Sequence, residues 1–551
     1  MRDGPERRVA IGFFDGVHVG HQRILRGVDE VVTFSRHPLS VVAGGECPPL
    51  LMSLDERLEA IRRFSGGAEV KVLEFDDALA ALSARDFAER YLSGKTVRCG
   101  RDWRFGRGGE GDAGFLRNLG WNVESVDDVM YGGEKVSSSR IRRALSEGDV
   151  GAVSAMMARA FTVKGASRAG KGEGAALGFA TLNLAVRGIP LRRGVYEVFA
   201  CGRSAVANYG VAPTMGERAW KEPVLEVHFL DGGGAEGEVE VEFLRFLRDE
   251  RTFDGLDALK AQLAEDCREV ARSRPLLSVV VTTKNEEPNI ANCISSFDGF
   301  RDRVEVIVVD NASTDLTKPI AAAAGARVFD MGPERSAQRN LGWRSARAGV
   351  VAVLDADMQM PRETVEEMLE CAKKGGDRAW WIPEVRTGGT WRVKVRNFER
   401  SFYDGTCIDA LRLFSKGVLE RTGGYDEGLI AGPEDWELDI RVLASGAECS
   451  VLKGHLLHNE KSLTYAKMLS KKAYYTKSFA AYKAKWPGHP AVRRQFSPWY
   501  RFVGVFVEHG KWRKVLRHPI LFAGVLFERL SVGLVYLASG VRGQGSVVSS
   551  Q

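Results

Sequence analysis

The sequence predicts an α/β multidomain chain: a parallel-sheet unit, a small closed barrel, a second doubly wound unit and a helical tail. Three observations predict it. Short apolar runs alternate with helical patterns from Arg8 to Asp149 and again from Leu277 to about Leu463. Between them, from Phe161 to Leu247, short strands are separated by Gly-rich turns. Beyond Leu463 the chain turns helical, basic and aromatic. Strand–helix alternation implies a parallel sheet with helices on its faces, whereas evenly spaced short strands imply a closed or Greek-key barrel.

In the first unit Val9–Ile11, Val31–Phe34, Val70–Val72 and Thr96–Val97 read as strands, and Leu54–Phe64 and Ala84–Leu92 as helices. In the second, Gly194–Ala200, Val224–Leu230 and Gly237–Phe243 read as strands. A charged helix over Leu256–Arg272 then gives way to Pro275, which disfavours helix in the residue before it and suits a domain boundary. In the third, Leu277–Thr282, Val304–Val309 and Val350–Leu354 read as buried strands. The resulting divisions are 1–158, 159–272, 276–465 and 466–551.

The chain has 551 residues, is 44% hydrophobic and 27% charged, and carries a formal net charge of +6. That charge is mild for the length. It fits polyphosphate substrates or an anionic membrane surface, and it gives no reason to expect nucleic acid. The eight cysteines form no CxxC pair, so zinc-knuckle and dithiol readings lack their spacing. Scattered thiols and a charged N-terminus without an apolar core suggest a cytoplasmic setting. No run of 18 uncharged apolar residues predicts a spanning helix. Pro519–Val541 is apolar but broken by Glu528 and Arg529, and it follows Lys511, Arg513, Lys514 and Arg517. It reads as a helix lying on a membrane at its inner face, with contact through 511–541, or equally as a core or dimer helix.

The first chemical constellation is Gly12-Phe13-Phe14-Asp15-Gly16-Val17-His18-Val19-Gly20-His21. Glycines at the carboxyl end of a parallel strand let backbone approach phosphate, and a helix N-terminus follows. His18 and His21 are three apart, on one face of a helical turn, where two imidazoles can bind or neutralise a triphosphate as pyrophosphate leaves. Gly12, Phe14, Asp15 and Gly16 are candidate phosphate-loop residues. Val136-Ser137-Ser138-Ser139-Arg140-Ile141-Arg142 adds hydroxyls at a helix start, Ser138 and Ser139 among them, and a guanidinium, Arg142, that can reach pyrophosphate.

These two strings resemble the nucleotidyltransferase superfamily. With Thr33-Phe34-Ser35-Arg36-His37-Pro38 and Gly100-Arg101-Asp102-Trp103-Arg104-Phe105-Gly106, they resemble the FMN adenylyltransferase half of bacterial bifunctional FAD synthetases. The resemblance implies a Rossmann-like domain in which Asp102 and Phe105 lie by the flavin. Only nine residues separate His21 from Val31, where the family carries a longer helix and linker.

The second constellation is Lys164-Gly165-Ala166-Ser167-Arg168-Ala169-Gly170-Lys171-Gly172-Glu173-Gly174, a basic glycine-rich loop that could wrap phosphates through Gly165, Gly170 and Lys171. Thr181 and Asn183 follow, two apart on an extended segment and so on one side. Both offer oxygens suited to Mg2+ held with nucleotide phosphates. The segment Gly178-Phe179-Ala180-Thr181-Leu182-Asn183 resembles the riboflavin kinase signature Gly-Phe-Pro-Thr-Ala-Asn, with Ala180 for Pro and Leu182 for Ala. Asn208-Tyr209-Gly210-Val211-Ala212-Pro213-Thr214 and Leu225-Glu226-Val227-His228 extend it. The resemblance implies that Glu226 is the general base and that riboflavin, FMN and ATP are substrates.

The third constellation lies at three strand ends: Thr282-Thr283-Lys284-Asn285-Glu286, Asp310-Asn311-Ala312-Ser313 and Asp355-Ala356-Asp357. Open α/β sheets bind ligands at such ends, and paired carboxylates there suit a divalent cation bridging a diphosphate. Gly432-Pro433-Glu434-Asp435 opens a helix later on. Together with Gln338-Arg339-Asn340-Leu341-Gly342, these strings resemble family 2 glycosyltransferases. The resemblance implies a GT-A fold and a nucleotide-sugar donor bound by Thr282, Asn285, Glu286, Asp310, Arg339, Asp355 and Glu434. It implies a metal at Asp357 (Mg2+, with Mn2+ as the alternative) and Asp435 as the base acting on an unidentified acceptor. The expectation is a multifunctional enzyme. The alternative is a flavin half that has lost catalysis and serves as a binding scaffold for a membrane-peripheral glycosyltransferase.

Overall fold

The computed structural model describes residues 7–42, 47–168, 181–186, 188–210, 224–429, 432–459 and 478–544. The chain divides into two compact units, Met1–Arg272 and Ser273–Gln551.

The first unit opens with β1 (Arg8–Ile11), β2 (Glu30–Phe34), β3 (Glu69–Leu73), β4 (Thr96–Gly100) and β5 (Val123–Val126) in one parallel sheet of order β3-β2-β1-β4-β5. The connections run outward from β1 and then reverse to β4. That reversal opens a crevice at the carboxyl ends of these strands, the position where such sheets bind ligands. β2 is buried along its whole length, as expected of a strand covered on both faces. The helix Leu54–Ser65 carries a capping box between Ser53 and Glu56, then stops at left-handed Gly66.

A small hairpin, β6 (Met130–Tyr131) and β7 (Glu134–Lys135), precedes the helices Ser138–Glu147 and Val150–Met157. A closed six-stranded barrel follows, in the order β10-β11-β12-β9-β8-β13. Its strands are β8 (Thr162–Arg168), β9 (Leu182–Val186), β10 (Gly194–Ala200), β11 (Arg203–Gly210), β12 (Val224–Phe229) and β13 (Glu238–Arg248). In β9 Leu182, Leu184 and Val186 are buried and the residues between them are not, which is the alternation of a strand with one face on the core. The helix Leu256–Arg272 covers the outside, burying Val270 with Val195 and Val206.

The second unit holds β14 (Leu277–Thr283), β15 (Val304–Asp310), β16 (Arg327–Asp330), β17 (Val350–Asp355), β18 (Met358–Gln359), β19 (Arg378–Trp381), β20 (Glu384–Thr387), β21 (Leu411–Ser415), β22 (Glu448–Val451) and β23 (Leu456–Asn459). Seven form a mixed sheet of order β16-β15-β14-β17-β21-β19-β22, in which β21 runs antiparallel to both its neighbours. The parallel part again reverses direction at its first strand, between β14 and β17. β18, β23 and β20 form a small second sheet beside it. Helical segments complete the unit from Phe479, ending in one helix over Pro519–Gln544.

Candidate functional sites

The turn after β1 is built from left-handed backbone. Phe14 has φ 57°, Gly16 φ 80° and Val17 φ 39°. A Cβ at Gly16 would also meet Leu51 Cδ1 at 2.8 Å, so this position needs glycine both for conformation and for space. The turn delivers His18 as N-cap of the seven-residue helix Val19–Leu25. His18 and His21 stack with ring centroids 3.7 Å apart. His18 is buried, and burial drives its pKa well below the usual histidine value, while burial takes that of His21 down to about 3. Both rings are therefore neutral at pH 7. Of the two roles expected of them, hydrogen bonding to phosphate and neutralising it by charge, neutral rings suit the first. Nδ1 of His21 is buried without a hydrogen-bond partner among the described residues, an arrangement that a ligand group would relieve.

Asp15 joins this turn to the second string. Its buried carboxylate accepts from the Leu51 amide at 3.1 Å and the Met52 amide at 3.3 Å, and it pairs with Arg142. The Ser138 hydroxyl donates to the Asp15 carbonyl at 2.8 Å, and Ser137, one residue earlier, caps the helix. Arg142, expected within reach of pyrophosphate, is engaged by Asp15 and by the Pro49 carbonyl at 2.7 Å. Ser139 is exposed in the same first helical turn. A residue that sequence reasoning missed, Arg159, donates to the carbonyls of Gly16 at 2.8 Å and Val17 at 3.2 Å. Asp102 is exposed and pairs with Lys135, whereas Phe105 is buried and stacks on Trp103 with centroids 4.5 Å apart. Gly12 sits against the Phe14 ring, which a Cβ would approach to 3.1 Å.

On the barrel, Glu226 of β12 lies in register with Asn208 of β11 on one side and Asn183 of β9 on the other. Leu225 and Val227 point into the core, which turns Glu226 and Asn183 to the outer face. Thr181, exposed just before β9, has the same parity as Asn183. Beyond them, Asn208 Nδ2 donates to Glu250 at 3.4 Å. The glycine-rich segment differs from expectation at its start: residues 162–168 form β8 and not a loop. Gly165 there serves close strand packing, since a Cβ would lie 2.8 Å from Leu184 Cβ. Gly170 and Lys171 lie outside the described residues.

In the second unit the ends of β14, β15 and β17 come together. Thr283 is in register with Asp310 and Thr282 with Asp355. Thr283 Oγ1 donates to Asp310 at 2.8 Å and Thr282 Oγ1 to Asp355 at 3.1 Å. Asp310 is fully buried and also accepts from the Ser313 amide at 2.7 Å. It thereby orders a loop in which Asn285 (φ 55°) accepts from the Thr314 amide at 2.7 Å and donates its own amide to Ser313 at 2.7 Å. Glu286 accepts from Asn289 at 2.7 Å.

Arg339 is the centre of the site. Only 1% exposed, its guanidinium lies 2.6 Å from Asp435, 3.6 Å from Asp355 and 3.7 Å from Glu434. Three carboxylates supplied by a strand end and a helix start thus converge on one buried cation. Burial, then the charge of Asp435, raises the Glu434 pKa above the usual carboxylate range.

Asp357 does not share these partners. Its Oδ2 lies 3.0 Å from His458 Nε2, and Nδ1 of that ring lies 2.9 Å from Glu384. Although burial opposes the charged form, hydrogen bonds to these carboxylates raise the His458 pKa to about 9. His458 and Glu384 were missed in the sequence, because nothing local marks a histidine 101 residues from its partner. Asp357 Oδ1 is buried without a hydrogen-bond partner among the described residues. That orphaned oxygen beside an imidazole fits a divalent cation. Among the described residues no group of three or more His, Cys, Asp or Glu could hold a metal alone, so the substrate diphosphate and water would have to complete its shell.

Residues 2–140 match the FAD synthetase family, 157–274 the riboflavin kinase family and 278–420 glycosyl transferase family 2. The bifunctional riboflavin kinase/FMN adenylyltransferase of Escherichia coli (strain K12) is 33% identical over 289 residues, which span 47% of this chain and 90% of that protein. The Pseudomonas fluorescens enzyme of the same name is 34% identical, over 49% of this chain and 94% of its own length. Among solved structures, a mannosyltransferase from Pyrobaculum calidifontis in complex with GDP-Man and Mn2+ is 20% identical. It covers 50% of this chain and 81% of that one, with a TM-score of 0.32. Through residues 2–274 the chain belongs to the bifunctional riboflavin kinase/FMN adenylyltransferase family, and through residues 278–420 it carries a family 2 glycosyltransferase domain.

Proposed function

We propose that the first unit converts riboflavin and ATP to FMN and ADP, then FMN and ATP to FAD and pyrophosphate, and that the second transfers a sugar from a nucleotide donor. In the kinase step Glu226 takes the proton of the ribityl 5′-hydroxyl as that oxygen attacks the γ-phosphorus of ATP. The bond to ADP breaks as the new P–O bond forms. Thr181 and Asn183 would hold Mg2+ against the phosphates. In the adenylyl step the FMN phosphate attacks the α-phosphorus of the second ATP. Neutral His18 and His21 donate hydrogen bonds to the phosphates, and the turn held by Asp15, Arg142 and Ser138 positions them. Asp102 and Phe105 remain the proposed flavin neighbours.

In the second unit Asp435 takes the acceptor hydroxyl proton as a nucleoside diphosphate leaves the sugar. Arg339 positions that carboxylate together with Asp355 and Glu434. Thr282 and the loop of Asn285, Glu286 and Ser313, ordered by Asp310, form the nucleotide seat. Asp357 and His458 would hold the Mg2+ or Mn2+ that neutralises the diphosphate. Binding a cation requires His458 to release its proton.

The observation that carries the flavin reading is the register of Asn183, Glu226 and Asn208, which puts a carboxylate beside an oxygen ligand on one barrel face. Incubating the full chain with riboflavin, ATP and Mg2+ and separating the flavins tests it. FMN followed by FAD is expected, whereas bound but unchanged riboflavin would leave only a scaffold. Release of nucleoside diphosphate from a panel of sugar nucleotides tests the second unit.

A further inference from the structure

The end of the second unit carries an apolar face that nothing in either activity uses. The helix Trp512–Arg517 leads through His518 into the helix Pro519–Gln544. The inner side of the long helix is well packed. Val525 is fully buried in a cluster with Val395, Phe398 and Phe506, and Leu521 and Phe522 pack against it. The two charges that interrupt the helix also turn inward. Glu528 pairs with Arg392 at 3.2 Å, and Arg529 pairs with Glu399 at 2.7 Å and donates also to the Tyr403 hydroxyl at 3.0 Å.

The outer side is the reverse. Ile520 is 74% exposed, Phe527 67% and Leu530 60%, and Leu516 of the preceding helix is 71% exposed. Spacings of seven and three residues put Ile520, Phe527 and Leu530 on one stripe of the long helix, and Leu516 stands on the short helix just before the break at His518. Trp512 is exposed one turn before Leu516. The exposed charges of residues 511–530 are Arg513, Lys514 and Arg517, all basic; Glu528, the segment's one acidic residue, faces inward. A soluble surface seldom leaves large apolar side chains in a row. No helix among the described residues is long and apolar enough to cross a membrane.

We propose that this stripe docks on an anionic lipid surface, with Leu516, Ile520, Phe527 and Leu530 in the headgroup–acyl boundary and Arg513, Lys514 and Arg517 on the phosphates. Charge complementarity selects this occupant. A second copy would bring the same basic cluster against itself. A nucleic acid would use the guanidinium groups but leave four large aliphatic and aromatic side chains without a role. An anionic bilayer uses both, and it explains why the helix turns its own ion pairs inward. The proposal is independent of both catalytic readings.

Sedimentation of the full chain with phosphatidylglycerol–phosphatidylcholine vesicles tests it, with phosphatidylcholine vesicles alone as the comparison. Preferential binding to the anionic vesicles, weakened by salt, is expected. Ile520→Glu with Phe527→Glu should weaken that binding by about 100-fold, since each puts a charge where an apolar side chain would enter the bilayer. Neutralising Arg513, Lys514 and Arg517 to Gln should cost about fivefold per residue. The second variant leaves the apolar face intact, so it stays informative if the first misfolds, and circular dichroism with thermal melting reports folding of both. Equal binding to neutral vesicles, vesicle binding unmoved by the Gln variant, binding to a single-stranded oligonucleotide in place of vesicles, or a dimer dissolved by the Glu substitutions would each overturn it.

Discussion

The Arg159 guanidinium donates to the Gly16 carbonyl at 2.8 Å, clamping the turn after β1 from the segment that leads into the barrel. Its second bond, to Val17, fixes the carbonyl of a β-branched residue held at φ 39°, a conformation such residues avoid. Replacing Arg159 with Ala should loosen the turn and misplace His18. Hydrogen bonds from a charged donor contribute about 1.5–3 kcal/mol each, so FAD formation from supplied FMN should fall at least tenfold. FMN formation from riboflavin should change little. Steady-state rates of the two half-reactions check this.

Glu226→Gln should act in the opposite sense. Losing a general base costs about 10²–10⁴-fold. FMN formation should fall by that much while FAD formation from FMN persists, and the near-isosteric side chain should leave the barrel's melting temperature within a degree or so of wild type. Measuring both half-reactions on one preparation separates the two sites.

Most of the framework was legible because its signals are local. The strand ends Asp310 and Asp355, the histidine pair and the Ser-Ser-Ser helix start each declare themselves within a few residues. What could not be read is what arises between distant segments. Nothing near Arg339 says that a helix start 95 residues on will place Glu434 and Asp435 around it, nor that Arg159 will reach back to residue 16. Ion pairing of Arg142 by Asp15 likewise needs the fold, since 127 residues separate them. Gly165 shows the converse failure. A glycine-rich composition suggested a phosphate loop where the glycine answers a packing contact across two strands.

Arg339→Met should destabilise the second unit. Removing one partner of a buried charge cluster costs up to about 3–5 kcal/mol, because Glu434 stays buried and Asp355 and Asp435 half-buried with their charges uncompensated. Chemical denaturation followed by tryptophan fluorescence, with eight of the chain's 11 tryptophans beyond residue 273, should show the loss in that unit. Unchanged stability would mean that the three carboxylates find other partners.

Glu305 predicts the sign of an acid response. It is buried on β15, and although burial opposes its charge, Arg327 and Arg347 hold its pKa down to about 2 against an ordinary 4.5. A depressed folded value means that the carboxylate stabilises above the unfolded pKa and that this share is lost as pH falls from about 4.5 toward 2. The share is on the order of 3 kcal/mol. Stability measured from pH 6 downward should fall less steeply in Glu305→Gln, which starts from a lower plateau.

Following label from ATP shows whether one chain performs both flavin steps. With riboflavin, Mg2+ and γ-labelled ATP, label is expected in FMN and persists into FAD; with α-labelled ATP, label is expected in FAD and none in FMN. Flavin that stays unlabelled from both positions while the protein remains folded and binds riboflavin would contradict it.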